Sequence, residues 1–403
     1  MMQSEGPLKL RFPFPIPIPH PGARRGGACL AAALIAASPL SGPAPAAACT
    51  AFCLTEDGIV AKNYDWSLGD GRLLVNKRGV RKFFSITGEP EHGAWVAQYG
   101  SVTFNQYGQD LPQGGMNEAG LVVEILWLDD TVYPEPDDRA EVGACQWIQY
   151  QLDTAGSVAE VVESVKDLRV RSSAKVHWFV ADRQGNAAAV EYLDGKPVVH
   201  TGESLPAPVL TNHPYERSLR YLERHEGTGE LPSTRDSLDR FVRAAAGLRA
   251  EPPASDGDGD AGRDDESTGA PSPVDRAFDL LGRVDQGTAT KWSIVYEPTA
   301  AKIQFRTLDH PATRELSLEQ LDFDCTAPVR ALDLTAEISG NVARSLTDWT
   351  PEDNHALVRD SYRNTPMFKA APREAIQRVA SYPATSSCVG LDLETSKSTT
   401  SGR

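Results

Sequence analysis

AAACTAFCLTEDGIVAKNYDW, Ala46 to Trp66, sets a cysteine between a run of alanines and two short β-rich runs. The runs, Cys49 to Leu54 and Ile59 to Tyr64, flank Glu56-Asp57-Gly58, where Gly supplies the dihedral that other residues resist, so the stretch reads as a hairpin. Upstream, Arg24-Arg25 precede the apolar run Ala28 to Ala37, and small residues end in Ala46-Ala47-Ala48. Charged, apolar and small-residue regions in that order are the layout of a secretory signal. Cleavage after Ala48 is expected to make Cys49 the first residue of a periplasmic or secreted chain, with 1–48 a removed leader. Met1 to Pro21 is proline-rich without period and receives no fold assignment.

A terminal cysteine carries its own α-amine beside its thiol, and that amine has a reference pKa of about 7.7–8.0. It can act as the base for its own sulfur, so one residue supplies nucleophile and proton acceptor. The thiolate attacks an amide carbonyl, the amine leaves, and water hydrolyses the thioester.

Composition narrows the partners. Of 403 residues, 40 are basic and 55 acidic, a net charge of −15 without a cluster of Lys and Arg, so nucleic acid is excluded as a partner. No run is long and apolar enough to span a bilayer, and no stable membrane association is expected. Six cysteines fall to five once Cys29 leaves with the leader: Cys49, Cys53, Cys145, Cys325 and Cys388. An odd count leaves at least one thiol unpaired, and the four besides Cys49 read as ordinary buried thiols. Cys49-x3-Cys53 has no histidine pair to complete a zinc site, and no metal or organic cofactor is expected.

Further along, Gly120 to Leu128, Val176 to Asp182, Ala187 to Leu193 and Pro197 to His200 read as strands, and Lys291 to Tyr296 with Lys302 to Thr307 as a second hairpin. Cys145 to Leu152, Val158 to Val165, Glu216 to His225 and Leu238 to Leu248 have helical periodicity. Pro351 to Tyr362 reads as a helix capped by Thr350. Periodicity thus indicates mixed strands and helices, an α+β chain, within a domain over 49–364 and a weakly ordered tail over 365–403. The stretch 251–273 is a low-complexity insertion. Its Asp256, Asp258 and Asp260 imitate a calcium loop, but Ala261 and Ser267 stand where Gly and a bidentate Glu are needed.

Six blocks in order carry a resemblance. They are Cys49-Thr50, Lys62-Asn63-Tyr64-Asp65-Trp66, Asn76-Lys77-Arg78-Gly79-Val80, Gly115-Met116-Asn117-Glu118-Ala119-Gly120-Leu121, Leu210-Thr211-Asn212 with Ser237-Leu238-Asp239-Arg240-Phe241, and Lys291-Trp292-Ser293-Ile294-Val295-Tyr296. Together they resemble the choloylglycine hydrolase and penicillin V acylase family of N-terminal-nucleophile hydrolases. The resemblance implies an αββα four-layer sandwich that hydrolyses linear amide C–N bonds, and a homo-oligomer, tetrameric in the family.

The resemblance makes Cys49 the nucleophile, Asp65 the carboxylate that orients amine and thiol, Asn212 an oxyanion donor and Arg240 the organising charge. Lys62 stands where bile-salt-cleaving members carry Arg, keeping a charge but losing the bidentate fork. Trp127 stands where many members carry a second asparagine. Trp66 and Trp127 resemble the tryptophan pair of the Gram-negative branch, which lines the acyl pocket, so a small-molecule acyl amide such as penicillin V or an acyl homoserine lactone is expected. A conjugated bile salt is the alternative substrate. A different class is a lipid-anchored periplasmic binding protein acylated on Cys49, against which Ala46 replaces the Leu usual three residues before a lipidated cysteine. A papain-like dyad of Cys49 with His177, His200 or His213 lacks the sequence context of those enzymes.

Overall fold

Two sheets, antiparallel except for the parallel edge pair Arg314–Ser317 and Gly340–Asn341, carry the fold in this computed structural model, which describes residues 48–86, 88, 93–250 and 271–389. The seven-stranded sheet runs in the order Val209–Leu210, Thr50–Leu54, Ile59–Asp65, Thr290–Glu297, Lys302–Thr307, Arg314–Ser317, Gly340–Asn341. At the centre of the nine-stranded sheet lie Val176–Ala181, Val122–Trp127, Pro112–Asn117, Ser101–Asn105 and Arg72–Asn76.

Period-two patterning explains how the sheets stack. On Val122–Trp127, Val122 and Leu126 enter the core between the sheets, whereas Val123 and Ile125 enter a second core on the other face. Phe104 of the nine-stranded sheet meets Phe305 of the seven-stranded sheet edge-on at 5.4 Å. The second core is closed by helix Ala144–Thr154, whose Trp147 lies 4.6 Å from Trp178. Helices Ser237–Arg249 and Pro273–Arg283 cover the outer face of the seven-stranded sheet and bury Phe241 and Leu281. Asn63 points outward from that sheet and donates to the Leu281 carbonyl at 2.8 Å. Helix, sheet, sheet and helix make the αββα sandwich.

The first hairpin forms as its sequence dictates. Thr50 pairs with Asn63 and Leu54 with Ile59, and Gly58 closes the turn at φ 64°. Ile59–Asp65 is buried along its whole length, as a strand covered on both faces must be. Helix Pro351–Asn364 begins with Thr350 accepting from the Asp353 amide and Pro351 in its first turn.

Three expectations change. The chain does not loosen after Asn364: Arg373–Ser381 is a helix, and the buried Tyr382 donates to the Phe83 carbonyl at 2.8 Å. Asn354 adds a bond to the Ala380 carbonyl at 2.7 Å, so buried polar contacts hold this segment against the domain. Cys325 and Cys388 are joined as a disulfide rather than standing as separate thiols, with Cα atoms 5.5 Å apart across 63 residues of sequence. Part of the expected insertion is a helix start, since Ser272 caps Pro273–Arg283 by accepting from the Asp275 amide. The leader through residue 47, the calcium-loop mimic and the last residues of the tail lie outside the described residues.

Candidate active site

Cys49 sits at the head of the first hairpin, 3% exposed, with its Sγ 3.9 Å from the Asp65 carbonyl oxygen. Register brings these two near each other, because Thr50 opposite Asn63 sets Cys49 across from Tyr64, the residue just before Asp65. Asp65 is fully buried; its Oδ1 accepts from the Thr290 hydroxyl, and its Oδ2 has no hydrogen-bond partner among the described residues. Thr290 enters the site because the bulged start of its strand pairs with Asp65.

Arg240 ties the site together from helix Ser237–Arg249. Its Nη1 donates to the Cys49 carbonyl at 2.8 Å and to the Thr50 hydroxyl, and its Nη2 donates to Asn212 Oδ1 at 2.7 Å. The guanidinium is fully buried, so these contacts stand in place of its hydration. With Oδ1 fixed by Arg240, Asn212 presents its Nδ2, which donates to the Trp127 carbonyl at 2.8 Å. An amide nitrogen has two hydrogens, so one remains for another acceptor.

Lys62 stands beside the site as half of a buried ion pair. Its ammonium meets Glu124 Oε2 at 2.6 Å and donates to the Ile125 and Gln113 carbonyls at 2.6 and 3.2 Å. Three donors are thereby spent on three acceptors, leaving none for a substrate. Gly114 makes room for this pair: a Cβ there would stand 2.0 Å from Glu124 Oε2. Lys62 reaches Cys49 through its field alone.

The electrostatics follow from burial. Desolvation pushes the Cys49 thiol up to about 11, with the Lys62 charge pulling the other way. Desolvation likewise pushes Asp65 up to about 7 against the pull of Arg240, Thr290 and Lys62. A thiol so buried is protonated at neutral pH and needs a base to react.

Next to Cys49 opens a pocket with a mainly apolar lining. Trp66 and Trp127 form part of its wall with ring centroids 6.1 Å apart. Tyr64, Tyr107, Met367 and Phe368 also line it, and none of the four was singled out from sequence. Their signal was spatial, since residues 107 and 367 meet only in the folded chain.

His177 and His200 gather on Glu191. His177 Nδ1 lies 2.9 Å from Glu191 Oε1 and its Nε2 lies 2.7 Å from the Thr211 carbonyl, while His200 Nε2 stands 3.6 Å from Glu191 Oε2. Burial pushes Glu191 up, but the His177 and His200 side chains and the Tyr215 amide outweigh it and hold the carboxyl at about 2. A depressed carboxyl pKa contributes stability above its unfolded value and loses it as pH falls through the folded one. Glu191→Gln is therefore expected to cost about 3 kcal/mol at pH 7 and to flatten the loss of stability between pH 4.5 and about 2. Urea unfolding at pH 7 and across that window checks it; equal midpoints at pH 7 would refute it.

The sandwich with a buried cysteine heading its first strand is the architecture of the N-terminal-nucleophile hydrolases. The family model for linear amide C–N hydrolases of the choloylglycine hydrolase family matches residues 49–248 of the chain. The chain is 28% identical over 236 residues to penicillin V acylase of Pectobacterium atrosepticum, covering 51% of this chain and 60% of that protein. The match therefore spans less than two thirds of that relative's length. Penicillin V acylase from Agrobacterium tumefaciens superposes with a TM-score of 0.61 at 26% identity, over 75% of this chain and 98% of that one. A variant of conjugated bile acid hydrolase from Clostridium perfringens shares the fold, with a TM-score of 0.59 at 17% identity over 72% of this chain and 98% of that one.

Proposed function

We propose that the chain is an exported amidase that cleaves linear acyl amides, penicillin V among them, through a thioester on Cys49. The observation that carries this reading is Asp65 Oδ2, a buried carboxylate oxygen beside Cys49 without a partner among the described residues. A leaving leader peptide would free the Cys49 α-amine, and its ammonium form is the partner that such an oxygen lacks. The match to the family beginning at Cys49 supports the same processing point.

In the proposed reaction the neutral amine takes the thiol proton, and sulfur attacks the carbonyl carbon. Negative charge gathers on the former carbonyl oxygen, for which the second Nδ2 hydrogen of Asn212 is the donor at hand. Collapse breaks the C–N bond as the ammonium returns its proton to the leaving nitrogen. Water then attacks the thioester and gives a proton to the amine; the C–S bond breaks, the ammonium returns that proton to the departing sulfur, and the carboxylic acid is released. Arg240 holds the Cys49 carbonyl and Asn212 in place throughout, and Asp65 orients the amine.

The lipid-anchored alternative fits less well, because a diacylglyceryl chain on a sulfur 3% exposed has no path to a bilayer. The close tryptophan pair favours a flat or narrow acyl group over a broad steroid. Penicillin V, a long-chain acyl homoserine lactone and glycocholate, assayed side by side, test the substrate class. Turnover of one of the first two at least about tenfold above glycocholate is expected, about 1.4 kcal/mol of preference. Preference for glycocholate would overturn it.

A further inference from the structure

We propose that the turn Pro366–Phe368 completes the acyl pocket and selects the distal part of the acyl group. This rests on the reading of the pocket beside Cys49 as an acyl pocket. The turn lies far beyond residues 49–248, where the family match falls.

Two contacts tie the turn to the pocket wall. Thr365, fully buried, hydrogen-bonds the Tyr107 hydroxyl at 2.9 Å, and the same hydroxyl accepts from Trp66 Nε1 at 2.7 Å. Phe368 packs edge-on against Tyr107 with centroids 5.1 Å apart. The orientation of Trp66 is thus set from the C-terminal segment, three residues meeting through one oxygen. Met367 lines the pocket while remaining 45% exposed, which puts its thioether at the rim. Both ends of the segment are held, by helix Pro351–Asn364 before it and by Tyr382 after it, whose hydroxyl accepts from Gln146 Nε2 at 2.9 Å. A thioether and a phenyl ring at a rim of this kind suit the alkyl or aryl end of an acyl chain, and the adaptable Met sets how much of it is covered.

The acyl group enters past the tryptophans with its carbonyl at Cys49, so its reactive end meets residues of the first hairpin and its remote end meets the turn. Acyl length and amine identity are then read by different parts of the chain.

The test is calorimetric binding to the full-length mature protein carrying Cys49→Ala, which reports affinity without turnover. Hexanoyl and dodecanoyl homoserine lactone are compared with and without Met367→Trp and Met367→Ala, substitutions at an exposed rim position that spare the core. Met367→Trp is expected to weaken dodecanoyl binding at least tenfold relative to hexanoyl, and Met367→Ala to move the ratio the opposite way. Ratios that stay within twofold in both variants, or no binding of either ligand, overturn the proposal. A shift between lactone and ring-opened homoserine amides at constant acyl chain would also overturn it, because the turn would then face the amine. If the unsubstituted enzyme hydrolyses neither amide while the binding ratios move as stated, the proposed reaction fails and the assignment of the turn stands.

Discussion

Cys49→Ser is expected to yield a folded protein whose amide turnover is reduced on the order of a thousandfold or more. The substitution keeps a small polar group in a buried slot, where a hydroxyl donates to the Asp65 carbonyl at least as well as the thiol does. Stability should therefore move little, with a melting temperature within about 3 °C of the parent. Chemistry suffers because a hydroxyl is a far weaker acid than a thiol, and the α-amine is too weak a base to ionise it. Burial already pushes the thiol up to about 11, which leaves no margin for a poorer nucleophile. Steady-state hydrolysis paired with thermal unfolding checks both halves. Retained turnover would remove the sulfur from the mechanism.

Lys62→Met is expected to destabilise the fold by about 3–5 kcal/mol, because it leaves Glu124 buried and unpaired. Burial lifts Glu124 above the ordinary carboxylate range against the pull of Lys62 and of the Tyr296 hydroxyl. Without Lys62 the carboxyl rises further. A carboxyl with a raised folded pKa costs stability above its unfolded value, and that cost disappears as the group takes up a proton. The deficit of Lys62→Met should accordingly shrink as pH is lowered from 8 towards 5, and adding Glu124→Gln should recover at least half of it at pH 8. Urea unfolding across that range tests this. A deficit that is independent of pH and unrelieved by the second substitution would show that Lys62 acts otherwise than through the pair.

These two residues illustrate what could be read in advance. The hairpin was legible because a turn at Gly58 and two short β-rich runs are local signals, and the register that follows sets Tyr64 across from Cys49 with Asp65 next along the strand. Lys62 was legible as a charge near the sulfur but not as half of a buried pair. Its partner Glu124 lies within Gly120 to Leu128, a run whose apolar residues dominate its reading as a strand, and the two meet only when the sheets stack.

Other features resisted for similar reasons. Pro112–Asn117 opens with proline and contains two adjacent glycines, a composition against strand formation, yet close approach of Glu124 requires a residue without a side chain at Gly114. The disulfide between Cys325 and Cys388 and the wall formed by Met367 and Phe368 depend on where a distant segment returns. Ser272-Pro273 was a missed local signal, the same cap and first-turn proline that marked Thr350-Pro351. The expected roles of Asn212 and Arg240 rest on the resemblance; Arg240 as the common anchor of the Cys49 carbonyl and Asn212 is visible only in the fold.

The most direct measurement is the mass of the N-terminal tryptic peptide of the purified protein, quenched in acid during turnover of a slow acyl amide. The account predicts a peptide running from Cys49 to Lys62, with a free α-amine and the acyl group on Cys49 rather than on Cys53. A chain that begins at any other residue, a blocked amine, or a diacylglyceryl group on that sulfur would contradict it.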